Sequence, residues 1–119
     1  VIHRPTSAGE LRELLSSTTY VAVDFYTDYD GSGHRMSPAF VDQSRIHGIP
    51  GILAFARINQ DDIPELSKQY CEGGGTQRTF VFFKEGKQVT VNGKATVIGS
   101  DIKSLKAAAE KLGGLAKKR

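Results

Sequence analysis

The chain has 119 residues, of which 39% are hydrophobic and 24% charged, so it has the size and composition of one globular domain with one core. No apolar run approaches the roughly 18 residues that cross a bilayer, and no secretory signal pattern stands at the N-terminus. The formal net charge is +3, and it arises from a basic C-terminal end on an otherwise near-neutral chain. We therefore expect an intracellular domain, cytoplasmic or alternatively nuclear, with neither a membrane nor a nucleic acid as partner.

The first half of the chain predicts alternating strands and helices after a short apolar start at residues 1–3. Ser7 and Glu10 indicate the opening of a first helix, because the serine can cap the backbone while the glutamate reaches back. Tyr20–Tyr26 is almost continuously apolar and β-branched or aromatic, which is typical of a strand buried on both faces. Asp24 is the anomaly within it. A polar turn then leads into a second helix that begins near His34.

The second half predicts further strands and helices, separated by glycine-containing turns. They are a strand at 51–58, a short helix opened by Asp61 and Asp62, a strand at 78–84, a strand at 88–92 with an optional short strand at 95–98, and a last helix from 100–101 to Gly113–Gly114. The order βαβαβαββα predicts three layers, with a central mixed sheet of about five strands between about four helices. We expect residues 1–113 to form the domain and 114–119 a disordered basic tail.

Three blocks of the sequence resemble the thioredoxin family and lie in the family's order. The stretch VDFYTDYDGSGHRMSP at 23–38 is similar to the thioredoxin stretch VDFWAEWCGPCKMIAP. The segment RINQD at 57–61 is similar to KVNVD, and TFVFFKEG at 79–86 is similar to TLLLFKNG. The resemblance covers nearly the whole chain and implies the thioredoxin fold.

The resemblance also shows what this sequence lacks. Asp30 and Gly33 occupy the two positions at which thioredoxins carry the cysteines of Cys-Gly-Pro-Cys, so two-cysteine exchange cannot occur there. Arg78 stands where the family has a cis-proline. A cis bond before a residue other than proline costs roughly 2.5–4 kcal/mol, so we expect a trans peptide bond and a reshaped loop at 72–77.

Two further positions carry over from the family. Asp24 matches the buried aspartate that helps move protons beneath the cysteines, and Arg57 matches the neighbouring lysine. With no thiol above it, Asp24 is interpreted as a vestigial buried acid held by Arg57 or water. We expect Asp24→Asn to change stability only mildly.

These observations favour a redox-inactive thioredoxin-like domain that acts as a protein-binding or scaffold module within a larger protein. Its partner is expected to be another protein or another domain of the same chain, and the domain itself to be a monomer. The expected partner-contacting residues are Tyr29, Asp30, His34, Gly74, Gln77 and Arg78.

Two alternatives stay open. Cys71 is the single cysteine, and it could support a residual thiol–disulfide or glutathione-linked activity, although a partly buried, inert thiol is the simpler interpretation. The turn from Asp30 to Arg35 lies at a predicted helix N-terminus, where an anion or nucleotide could bind. The three histidines are far apart in sequence, so we predict no metal site and no cofactor.

Overall fold

The computed structural model describes residues 2–28, 33–71 and 77–118, with His34 described by its backbone alone. Within these residues the chain forms six strands and four helices. They are β1 (Ile2–His3), α1 (Ala8–Ser17), β2 (Tyr20–Tyr26), α2 (Gly33–His47), β3 (Leu53–Asn59), α3 (Pro64–Tyr70), β4 (Thr79–Lys84), β5 (Lys87–Val89), β6 (Thr96–Ile98) and α4 (Ile102–Lys117).

All strands belong to one mixed sheet with the order β1-β3-β2-β4-β5, and β6 pairs with β4 beside β5. β1, β3 and β2 run parallel, whereas β4 is antiparallel to β2, β5 and β6. β2 lies at the centre, and its first six residues are buried, which confirms the prediction from its continuous apolarity. The predicted three-layer α/β architecture is confirmed, and the optional strand at 95–98 is present as β6.

Side chains alternate between two hydrophobic cores along the central strands. Tyr20 and Ala22 of β2 face a core shared with α2 and α4, in which the Phe40 ring lies 5.4 Å from Phe55 and 5.6 Å from Phe80. The odd-numbered residues of β2 face a second core shared with α1 and α3. Asp24 has the same even parity as Tyr20 and Ala22, so its side chain points toward the layer of α2 and α4. The candidate site therefore lies on this face of the sheet.

The helix starts agree with the predictions at α1 and differ at α3. Ser7 is the N-cap of α1, where its hydroxyl accepts a hydrogen bond from the Glu10 amide at 3.1 Å. The Glu10 carboxylate in turn accepts from the Thr6 amide at 2.6 Å, and the Thr6 hydrogen bonds lower the pKa of Glu10. α3 begins at Pro64, after the predicted start at Asp61–Asp62, because proline is well suited to the first turn, where its missing N–H costs nothing.

The C-terminal end corrects the prediction of a domain ending at residue 113 and a disordered tail at 114–119. α4 continues to Lys117, and Lys118 is its C-cap. The apolar spacing does not stop at the two glycines, since Leu112 and Ala116 lie four residues apart and are both buried. Burial of this continuing stripe outweighs the low helix propensity of glycine. None of the helices in the described ranges is long and apolar enough to cross a membrane.

Gly113 and Gly114 differ in what surrounds them. A Cβ at Gly113 would collide with the side chain of His47, the last residue of α2, whereas a Cβ at Gly114 would meet nothing within 4 Å. Gly113 thus allows α2 and α4 to approach closely, and Gly114 has no such packing requirement.

This difference predicts opposite effects for two neighbouring substitutions. We expect Gly114→Ala to raise the free energy of unfolding by about 0.5–1 kcal/mol, because alanine is the better helix former. In Gly113→Ala the same gain is offset by about 1–3 kcal/mol of overpacking against His47. Denaturant unfolding of both variants measures the difference, and equal stabilisation by the two would contradict the close contact with His47.

Candidate functional site

The candidate site lies where β2, β3 and the approach to β4 meet beneath α2. Asp24 pairs in register with Arg57 on β3, and it faces the same side of the sheet as Ala22. Arg78 precedes β4 and lies two residues before Phe80, which faces that same core. Sheet pairing and side-chain alternation therefore bring one acidic and two basic side chains to the same face of the sheet.

The Asp24 carboxylate lies between the two guanidinium groups. Its Oδ2 is 3.3 Å from Arg57 Nε, and its Oδ1 is 3.2 Å from Arg78 Nε. The side chain of Asp24 is 0% exposed, that of Arg78 3% and that of Arg57 15%. We name these three residues the Asp24 cluster. It places two positive charges against one negative charge in a nearly dry environment, where an unpaired charge would be very costly.

Ser37 and Tyr26 complete the surroundings of the two arginines. The Ser37 hydroxyl, in the second turn of α2, accepts hydrogen bonds from Nη2 of Arg57 at 3.2 Å and of Arg78 at 3.1 Å. The Tyr26 ring centroid lies 4.5 Å from the Arg57 guanidinium carbon and 5.9 Å from that of Arg78, so both cations contact its π face. Through Ser37, the cluster connects the start of α2 to β2, to β3 and to the residue that precedes β4.

A second polar network fixes the chain as it enters β4. The buried Gln60 side chain donates hydrogen bonds to the Phe25 carbonyl at 2.9 Å and the Gln77 carbonyl at 2.7 Å. Its own carbonyl accepts from the Ser67 hydroxyl at 2.9 Å. Gln60 therefore sets the position of the backbone immediately before Arg78.

Cys71 lies on the opposite face of the sheet from the Asp24 cluster. It is the C-cap of α3 and packs in the core shared with α1, with 9% of its surface exposed. Burial raises the pKa of the Cys71 thiol to about 11, against smaller lowering contributions from the side chains of Thr79 and Ser67. The thiol is therefore protonated at neutral pH and a poor nucleophile.

Sequence comparison supplies the family. A protein from Fusarium culmorum named thioredoxin-like protein is 50% identical over 119 residues, which is 100% of this chain and 97% of that protein. Thioredoxin from Neurospora crassa is 43% identical over 113 residues, or 95% of this chain and 87% of that protein. The chain belongs to the thioredoxin family. No protein-family model matches it.

Solved structures agree with this assignment at the level of the fold. The structure of Plasmodium falciparum thioredoxin has a TM-score of 0.77 at 24% identity, covering 92% of this chain and 98% of that one. Thioredoxin from Malassezia sympodialis has a TM-score of 0.73 at 22% identity, covering 94% and 93%. The thioredoxin fold predicted from the three sequence blocks is confirmed.

Several predicted positions of this thioredoxin-family domain fall outside what the structure describes. Tyr29, Asp30 and Gly74 lie outside the described residues, as does the side chain of His34. Gly33 is the first residue of α2, so the position of the family's second cysteine lies at a helix start. Gln77 is exposed, in agreement with a surface position.

Arg78 is the predicted contact residue that the structure places differently. Its guanidinium is buried against Asp24 and is not part of an exposed contact surface. The expected trans geometry is confirmed, because no cis peptide bond occurs in the described ranges, which include Gln77 and Arg78. The predicted pairing of Asp24 with Arg57 is also confirmed, but Arg78 joins it as a second cation.

Sequence reasoning did not place Arg78 in the Asp24 cluster or Ser37 and Tyr26 beside it. Signals were available for two of them, because Arg78 shares its parity with Phe80 and Phe82 on the predicted strand at 78–84, and Tyr26 shares its parity with Asp24 on the predicted strand at 20–26. Ser37 carried no signal that distinguishes it from an ordinary position on a helix.

Proposed function

We propose that this thioredoxin-family domain is a redox-inactive protein-binding module. The proposal rests on two observations, the residues at the positions of the reactive cysteines and the burial of the single cysteine. The positions equivalent to the reactive pair are Asp30 and Gly33, and the single cysteine is a buried, protonated thiol at the end of α3. A mixed disulfide formed at one position also needs a second thiol to resolve it.

The alternative is a residual thiol activity through Cys71 alone. Relatives named thioredoxin are a reason to consider this alternative, but their names describe those proteins and not this chain. A pKa of about 11 argues against it, because at pH 7 about one molecule in ten thousand would carry the thiolate. Cys71 is also buried on the face of the sheet opposite the Asp24 cluster, and this position argues against a thiol activity as well.

A partner surface at the start of α2 fits the retained scaffold. The Asp24 cluster holds the start of α2 against three strands, and Gln60 holds the backbone at Gln77, so the segments at 29–34 and 72–77 attach to a fixed frame. We propose Tyr29, Asp30, His34, Gly74 and Gln77 as contact residues. Arg78, which is buried against Asp24, is proposed as a positioning residue.

Reduction of a disulfide-bonded test protein by dithiothreitol separates the two functions. We expect the domain to leave the uncatalysed rate unchanged and Cys71→Ser to be indistinguishable from wild type, while an authentic two-cysteine thioredoxin accelerates the reaction. Catalysis that disappears in Cys71→Ser would replace the binding proposal with the thiol activity.

Affinity capture from the source extract tests the partner surface. We expect Tyr29→Ala to lose a partner that wild type and the exposed control Lys68→Ala both retain. An aromatic contact at an interface centre is typically worth about 2 kcal/mol or more, enough for a clear loss. Retention of every captured protein by Tyr29→Ala would contradict this placement.

A further inference from the structure

The basic charge of the chain resides on one helix and not on a disordered tail. Between Ile102 and Lys118 there are five lysines and one glutamate, a net charge of +4, whereas residues 1–101 carry ten basic and twelve acidic side chains. The five lysines are all exposed, and within the described ranges none of them pairs with a carboxylate. They are Lys103, Lys106, Lys111, Lys117 and Lys118.

A groove runs along the second half of this face. It is open to solvent and has a volume of about 410 Å³ between α4 and the turn at Asn92. Ala107 and Gly114 form a low floor because they lack long side chains, and the partly buried Leu115 adds an apolar patch. Lys111 and Lys118 line the same groove one heptad apart, with Glu110 also contributing to the lining.

The wall opposite the helix is fixed in place. Val91 and Lys94 close the turn with reciprocal backbone hydrogen bonds of 2.9 and 3.1 Å. The Lys94 ammonium donates to the Ser104 hydroxyl at 2.8 Å and lies 3.7 Å from Asp101, the N-cap of α4. These contacts hold the turn that carries Asn92 against the start of α4, which lowers the cost of ordering this wall when a ligand binds.

We propose that this groove binds an acidic polypeptide segment whose carboxylates pair with Lys111 and Lys118. The charge of the face selects an anionic ligand. Exposed large apolar side chains in the described ranges are Val41, Ile46 and Ile98, none on α4, so the face offers nothing to insert into a membrane or to stack on unpaired bases. A concave floor with an apolar patch suits side chains better than duplex phosphates. The groove shares no residue with the Asp24 cluster, and the inference does not rest on the proposed function.

A fluorescent glutamate-rich peptide of about ten residues, titrated by anisotropy at low salt and at about 0.5 M salt, tests the site. We expect salt-sensitive binding that weakens about tenfold in Lys111→Gln/Lys118→Gln. Lys68→Gln/Lys87→Gln removes the same charge from exposed positions elsewhere and should weaken binding less than about twofold. Equal losses in the two double variants would overturn the site in favour of net charge alone.

Gly114→Leu tests the groove itself without changing the charge. Its Cβ meets no atom within 4 Å, so the fold should tolerate it, while the side chain fills the floor. We expect a loss of about tenfold in peptide binding with an unchanged or higher unfolding midpoint. Unchanged binding in Gly114→Leu would overturn the groove. Phosphatidylserine vesicles or a duplex DNA that bind more tightly than the peptide, and lose binding in Lys111→Gln/Lys118→Gln, would overturn the polypeptide as its occupant.

Discussion

Asp24→Asn should lower the free energy of unfolding by about 3–5 kcal/mol, the cost of removing one partner from a buried ion pair. The variant keeps the shape of the side chain but leaves two guanidinium groups, 3% and 15% exposed, without their shared carboxylate. This expectation replaces the mild effect predicted from the sequence, where Asp24 was expected to be held by Arg57 or water. Denaturant unfolding, monitored by circular dichroism, gives the measurement.

Arg78→Met is the informative comparison, because it removes one of the two cations that contact Asp24 and puts an unbranched apolar side chain in its place. Asp24 still contacts Arg57, so we expect a loss of about 1–3 kcal/mol, below that of Asp24→Asn. The triple variant Asp24→Leu/Arg57→Met/Arg78→Met removes all three charges of the Asp24 cluster and should cost less than either single change. If Arg78→Met is the most damaging of the three variants, the ion pairs of Asp24 do not explain the stability of the cluster.

The same cluster shows how far sequence could predict this molecule. The almost continuous apolar run at Tyr20–Tyr26 and the strong strand at 78–84 predicted the central sheet, because burial on both faces leaves few other arrangements. Asp24 stood out because a carboxylate within such a run requires a partner. The resemblance alone supplied Arg57, and the register of β2 and β3 in the structure agrees with it. The central sheet, in contrast, follows from strand periodicity, which the sequence carries directly.

The missed features depend on tertiary contacts. Arg78 was interpreted as a partner contact because it stands where the family has its cis-proline, yet its side chain turns toward Asp24. The end of α4 was placed at Gly113–Gly114 because glycine commonly ends helices. The packing of Gly113 on His47 and the burial of Ala116 outweigh that propensity, and neither follows from a helix considered alone. Because α4 continues to Lys117, the lysines at its end lie on the exposed face of a helix and not on a disordered tail.

The surroundings of Asp24 suit a structural role for this residue. Its carboxylate oxygens lie 3.2 and 3.3 Å from two guanidinium groups, and the Ser37 hydroxyl accepts a hydrogen bond from each of the same two side chains. The cluster therefore holds α2 against the sheet without the help of a thiol, which agrees with the proposed binding module.

The reactivity of Cys71 provides the sharpest chemical test of that view. The ordinary thiol pKa of 9.0 rises to about 11 in the fold, because burial disfavours the thiolate. At pH 8 the thiolate fraction should thus be about a hundredfold lower in the folded domain than in the unfolded chain, and alkylation by iodoacetamide slower by at least that factor. Because the folded state holds its proton more tightly, this thiol's contribution to stability is complete below pH 9 and is lost as pH rises through about 11.

The alkylation rate should increase about tenfold for each pH unit between 7 and 10, as the thiolate fraction does. The guanidinium-unfolded chain serves as the matched control, since it contains the same cysteine without the fold. Mass spectrometry of the alkylated product measures both rates. A folded rate equal to the unfolded one at pH 8, or a plateau between pH 7 and 9, would mean that the fold activates Cys71. The thiol function would then displace the binding module, because a reactive thiolate is the one property that a purely structural Cys71 does not need.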